Sequence, residues 1–213
     1  MGCAAPTDNL RHTLRGATAS AHDLLDGTMR AASGWSNRED YARFLSLQFA
    51  ARVPVEGWLA RNAPDELNPP PQAPLIAQDL ADLGSPVPAQ EALFEFSTGA
   101  DPAQSTAKRA EALGAAWVLA GSSLGNRAIL AEVKRTAKQA QQSDWPSRFL
   151  GDTGMLAFWK KLRNELEDRA DMEEVELATR AATAVFDHFI KHAQSSPDDS
   201  GGVPEPALTN GAP

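Results

Sequence analysis

An all-helical fold follows from three features of the sequence. Apolar residues recur at spacings of three and four along most of the chain. No β-branched segment alternates between turn signals, and cap-like or Pro/Gly-rich breaks separate the periodic stretches. The 213 residues, 42% of them hydrophobic and 23% charged, suffice for one multi-helix domain with a full core.

The first helix is predicted from Leu10, Leu14, Ala17, Ala21, Leu24 and Leu25, with Thr7 or Asp8 available as its cap. Ser36 to Glu39 reads as a capping box that opens a second helix through Tyr41, Phe44, Leu45, Gln48 and Phe49. Pro54 is expected to kink or end that helix. Residues 68–72, Asn-Pro-Pro-Pro-Gln, form a stiff spacer. A short helix from Leu75 to Leu83 stops at Gly84, and Pro86-Val-Pro88 is expected to start another through Leu93 and Phe96. A long helix from about Thr106 to Gln141 carries Gly121 and Gly125 as interruptions. Asp152 to Leu166 and Asp171 to His192 complete the set, the last with Val175, Ala178, Ala182, Val185, Phe186 and Phe189 on its apolar face. Residues 194–213 hold four Pro and three Gly with almost no bulky apolar residue, so a disordered tail is expected. The organisation is therefore a flexible arm (1–8), a helical domain (9–193) and a tail (194–213).

Composition narrows the function. A formal net charge of −8, from 20 basic and 28 acidic side chains, disfavours non-specific nucleic-acid binding. No apolar run approaches the roughly 18–20 residues of a membrane span, and the N-terminus lacks the regions of a secretory signal, so a cytoplasmic protein is expected. Cys3 is the only cysteine, which excludes an internal disulfide or a thiolate zinc site.

Four histidines can carry metal chemistry: His12, His22, His188 and His192. His22 falls in line with Leu14, Thr18, Leu25 and Met29, at or beside the apolar stripe. It is either a core histidine bonded to a carbonyl or an axial ligand facing a cavity. His188 and His192 share a helix face, but near a helix C-terminus histidines are favourable on electrostatic grounds alone. None of the four has Glu three residues before it, so the Glu-x-x-His pairs of a di-iron bundle are missing.

Gly121-Ser122-Ser123-Leu124-Gly125 matches G-x-S-x-G, and Asp152 and His188 follow in triad order. A nucleophile elbow needs a strand before it, however, and no strand is predicted. On a helix the two glycines line one face with bare backbone, which admits a flat ligand or a close helix neighbour.

Five segments, in order, resemble the bacterial heme oxygenases, especially the type found alongside bacteriophytochromes. They are residues 14–26 around His22, residues 40–48, residues 76–88, residues 113–125, and the later Phe149-Leu150, Trp159-Lys160 and 181–189 stretches taken together. The resemblance spans about residues 10–192. It implies a heme oxygenase-like helical bundle, heme as substrate and cofactor, and His22 as the iron ligand. It also implies oxidative cleavage to biliverdin, carbon monoxide and ferrous iron.

In this resemblance Gly121, Ser122 and Gly125 form the distal, catalytic segment, and Thr18 and Trp117 border the heme. Ser122 stands where many heme oxygenases carry an acid that orders water, as is usual in the phytochrome-linked branch. Trp117 replaces a smaller aromatic, and Asn126 a small residue. Arg15 lies nearly two turns before His22 on the same face and is a candidate for a propionate, as is Lys160. Dioxygen is the co-substrate. No flavin or nicotinamide fingerprint is present, so electrons come from a separate ferredoxin or reductase, and a bacteriophytochrome is a candidate recipient of biliverdin. The alternative on the same fold is a non-enzymatic heme-binding or sensor protein.

Overall fold

The computed structural model describes residues 9–89, 93–96, 105–142, 144–167 and 170–195. Among these, seven α-helices and one 3-10 turn form a single all-helical domain without a strand. The helices are α1 (Leu10–Ala32), α2 (Arg38–Asn62), α3 (Ala73–Leu83), α4 (Ser105–Gln139), α5 (Arg148–Gly151), α6 (Gly154–Glu167) and α7 (Met172–Ser195), with the turn at Asp65–Leu67.

Packing is organised around α7, which lies against α4 and α1, while α2 packs on α3 and α6 on α4. Gly114 allows the α4–α7 approach. A Cβ built there would lie 2.2 Å from the Ala178 carbonyl oxygen, closer than any side chain tolerates. The larger core joins Leu10 and Leu14 of α1, Val55 and Leu59 of α2, Leu113 to Leu119 of α4 and Val185 to Phe189 of α7. A second core joins Tyr41, Leu45, Ile76, Leu80, Val133, Trp145 and Phe149 beneath α3 and α5.

Several local expectations are refined. The α1 cap is Asn9, whose side chain accepts from the His12 N–H at 2.9 Å; Thr7 and Asp8 lie outside the described residues. The second cap falls one residue later than the capping box suggests. Asn37 accepts from the Asp40 N–H at 2.8 Å and donates its amide to the Asp40 carboxylate. Pro54 does not end α2, because Ala51, Val55 and Leu59 are fully buried around it and packing outweighs the lost backbone bond. Gly84 closes α3 in the left-handed region at φ 73°.

Residues 86–89 and 93–96 are not helical, and 90–92 lie outside the described residues. Phe94 and Phe96 instead pack edge-on to each other, with Phe96 against Trp58. Helix α4 is continuous through Gly121 and Gly125, and α7 continues through Gln194 to Ser195. The rest of the expected tail, the N-terminal arm and Cys3 are outside the described residues.

Candidate functional site

The inner face of α1 changes character along its length. Leu10 and Leu14 enter the core, Thr18 is buried with its hydroxyl donating to the Leu14 carbonyl, and Met29 is buried again at the far end. Between them the burial is less complete. Ala21 and Leu25 are only partly buried, and Leu24 is 55% exposed. A cavity of about 600 Å³ lies here, lined from α1, α2, α4 and α7 and by Trp35. That volume is in the range of roughly 300–1,000 Å³ common to small-molecule and cofactor sites.

His22 lines this cavity with its side chain 59% exposed, so it is not a core histidine bonded to a carbonyl. Its Nδ1 lies 3.6 Å from Asp26 Oδ2 and 3.8 Å from Asp23 Oδ1. Both carboxylates are largely exposed, so solvent screens them. The Phe186 ring meets the imidazole edge-on at 6.2 Å between centroids. Arg15 and Arg30 contribute exposed cations to the same lining, with Arg30 over the Trp35 ring at 4.8 Å.

Helix α4 supplies another wall through Trp117, Val118, Gly121, Ser122, Gly125 and Asn126. A Cβ at Gly125 would meet nothing within 4 Å, and one at Gly121 would only touch Trp159, so both glycines expose backbone to the cavity. Trp117 packs at 5.2 Å on Trp159 of α6, which fixes the bulk of that wall. Ser122 donates its hydroxyl to the Leu119 carbonyl and accepts from Arg52.

Arg52 of α2 is the least expected residue of the site. It is 1% exposed, yet its side chain lies in the cavity wall. Nη2 donates to Ser122 Oγ at 2.7 Å, and Nε donates to Gln48 Oε1 at 3.2 Å. The guanidinium stacks near the Phe149 ring at 5.0 Å and the Phe189 ring at 5.9 Å. Nη1 is buried without a hydrogen-bond partner. Burial pulls the guanidinium down to about 10, and the Glu56 charge partly restores it, so it remains a cation at neutral pH. Glu56 in turn is raised by burial, its carboxylate being occupied by the Gln72 and Ala73 N–H groups at the start of α3.

Of the residues expected from sequence, Arg15, Thr18, His22, Trp117, Gly121, Ser122 and Gly125 border one cavity. Lys160 is exposed on α6 and is not part of that lining. Neighbouring Arg163 pairs with Glu167 at 3.7 Å, as an ordinary surface cation does. Ser123 is buried in mid-helix and donates to the Ala120 carbonyl, which removes the nucleophile-elbow alternative. His188 lies 3.1 Å from the Ala51 carbonyl through Nε2, and no metal-holding group of three or more His, Cys, Asp or Glu occurs among the described residues. Sequence reasoning missed Arg52 and Asp26. The signal for Arg52 was its place at i+8 from Phe44 and i+4 from Gln48 on an otherwise inward helix face.

The arrangement offers an imidazole on one helix, bare backbone on another, apolar side chains around a slot, and one buried cation. That donor set fits a flat ligand with a metal at its centre.

No family model matches the chain. The chain is 26% identical over 179 residues to heme oxygenase PigA of Pseudomonas aeruginosa, covering 81% of this chain and 85% of the relative. Its fold matches the crystal structure of the NO- and CO-bound heme oxygenase of Neisseria meningitidis with a TM-score of 0.61 at 20% identity, over 87% of this chain and 90% of that one. The sequence likeness to heme oxygenase PigA thus runs along most of both chains, and the solved heme oxygenase structure shares the fold.

Proposed function

We propose that the chain is a heme oxygenase that cleaves heme to biliverdin, carbon monoxide and ferrous iron with dioxygen and external electrons. The observation that carries the reading is that His22 of α1 and the bare backbone at Gly121 and Gly125 of α4 border one cavity of about 600 Å³. Bound heme supplies the oxygen and redox chemistry, and the protein supplies position and polarity. His22 holds the iron. Its carboxylate neighbours Asp23 and Asp26 are solvent-screened and beyond hydrogen-bond distance, which leaves the imidazole a moderate donor. Arg15, at the exposed end of the lining, meets a propionate, and Thr18 and Trp117 confine the ring. Gly121 and Gly125 let the ring plane approach α4, while Ser122 brings a hydroxyl to the same wall. A ferredoxin or reductase delivers the electrons, and a bacteriophytochrome is the recipient that the phytochrome-linked resemblance suggests.

A second reading, a heme binder without turnover, is favoured by the bulk of Trp117 and by the buried Asn126, both in the cavity lining. Titration with hemin followed by absorbance tests the part common to both. A Soret band saturating at one hemin per chain, lost or strongly broadened in His22→Ala, supports the ligand assignment. An unchanged spectrum in that variant removes His22 as ligand.

A further inference from the structure

Arg52 is a buried cation that the rest of the fold compensates only in part. Its guanidinium is fully buried and carries a positive charge, and its two satisfied nitrogens donate to neutral acceptors, Gln48 Oε1 and Ser122 Oγ. Glu56 acts on it electrostatically, but its carboxylate accepts from the Gln72 and Ala73 backbone and not from the guanidinium, and Nη1 has no hydrogen-bond partner. A buried charge whose carboxylate neighbour is bonded elsewhere and leaves one nitrogen unpaired is only partly compensated, and an anion at that nitrogen would offset the cost. The other cations lining the cavity, Arg15 and Arg30, are exposed and already hydrated. The acidic lining residues, Asp23 and Asp26, belong to α1, whereas Arg52 reaches the wall through α2 and is tied to α4 by Ser122.

The side chain is also held rigidly. Phe149 and Phe189 pack on the guanidinium from α5 and α7. Phe149 is itself anchored, because its backbone N–H and that of Arg148 donate to the buried Asp79 carboxylate at 3.0 Å. A charge fixed in this way needs no reorganisation to act on a ligand.

We propose that Arg52 makes the α2–α4 wall of the cavity a site for a small anion, so that heme held in the cavity binds anionic iron ligands in preference to neutral ones. The inference rests on the heme-binding reading given above. It assigns Arg52 as a positioning charge for the exogenous ligand, a role separate from holding the heme.

The test is titration of the ferric hemin complex with fluoride and, separately, with imidazole, in the wild type and in Arg52→Met, Arg52→Gln and Arg52→Lys. Arg52→Met keeps the side-chain length and removes the charge, and Arg52→Gln is a second neutral replacement should the first fail to fold. The hemin-loaded neutral variants, each compared at its own saturation with hemin, are expected to bind fluoride about tenfold more weakly or worse, the worth of one charge-assisted hydrogen bond. Imidazole affinity should stay within about threefold, a margin below the value of that bond. Arg52→Lys should retain most of the fluoride affinity. Unchanged fluoride affinity in the neutral variants, or equal losses for fluoride and imidazole, overturns the inference while leaving heme binding intact. A wild-type protein that takes up no hemin overturns the functional reading and this inference together.

Discussion

The Gln72 side-chain amide donates to Asp152 Oδ2 at 2.9 Å, tying the start of α3 to the start of α6. Asp152 also accepts from the Gly154 and Met155 N–H groups, and so caps α6. On the other side, the Gln72 backbone N–H donates to Glu56 of α2. One residue thus links the helix that carries Arg52 to the helix whose Trp159 backs Trp117. The frame of the cavity is set by polar contacts outside it.

Burial tends to raise the Asp152 carboxyl, but the hydrogen bonds from Met155, Gln72 and Gly154 outweigh it and hold it below its ordinary value of 3.8. A depressed folded-state value means that this contribution to stability is present above pH 3.8 and disappears as pH falls through the lower folded value. Asp152→Ala is therefore expected to cost about 1–2 kcal/mol at pH 7, from the lost cap and the lost Gln72 partner. Urea denaturation at pH 7 and again near the acid limit checks this: the gap from the wild type should narrow at low pH. An equal gap at both values would contradict it.

The two kinds of glycine in α4 should respond in opposite directions to alanine. Gly114→Ala forces a methyl against the Ala178 carbonyl oxygen and the Ala181 Cβ, so it should lose stability by about 3 kcal/mol, at the upper end of ordinary overpacking. Gly125→Ala meets open space, and on helix propensity alone should gain up to about 1 kcal/mol. The same methyl projects into the cavity and should weaken hemin binding. Chemical denaturation of the apo-proteins, paired with hemin titrations, separates the two effects.

Much of the fold was legible because helices declare themselves by period. The inward faces of α2 and α7, at Tyr41, Phe44, Leu45 and Phe49 and at Ala178, Ala182, Val185 and Phe189, are those the spacing selects. The α1 stripe was less faithful. Ala17 and Leu24 are exposed and lie outside the cavity lining, so the three-and-four spacing drew the buried stripe too wide there. The segment after Pro86 was misread as helix, since prolines that suit a first helical turn suit extended chain equally well.

At the site, Thr18, His22, Gly121 and Gly125 could be brought together from helix spacing and family resemblance, and they do share one cavity. Arg52 shares the inward register of Phe44 and Gln48, but a periodicity argument counts a charged residue as outward-facing and so passes over it. Its burial depends on Phe149, Phe189 and Ser122, which come from three other helices. Lys160 is a charge at plausible sequence distance whose helix turns it to solvent instead.

Arg15 is exposed at the cavity lining, where an ion pair with a carboxylate is worth little in water. Arg15→Ala is accordingly expected to weaken hemin binding by no more than about 5-fold. The iron-ligand spectrum should remain, and the distribution of biliverdin isomers should change. Chromatography of the product together with a hemin titration checks this. Identical affinity with an identical isomer pattern would remove its propionate role.

The most direct test of the central claim is a single turnover experiment on the hemin complex of the wild-type protein, with a chemical reductant added in air and absorbance followed. The account predicts that the Soret band decays and the broad red absorption of biliverdin replaces it, with iron released to a ferrous chelator. A Soret band that forms at one hemin per chain and persists under reductant and oxygen would contradict the enzyme reading and leave a heme-binding protein on this fold.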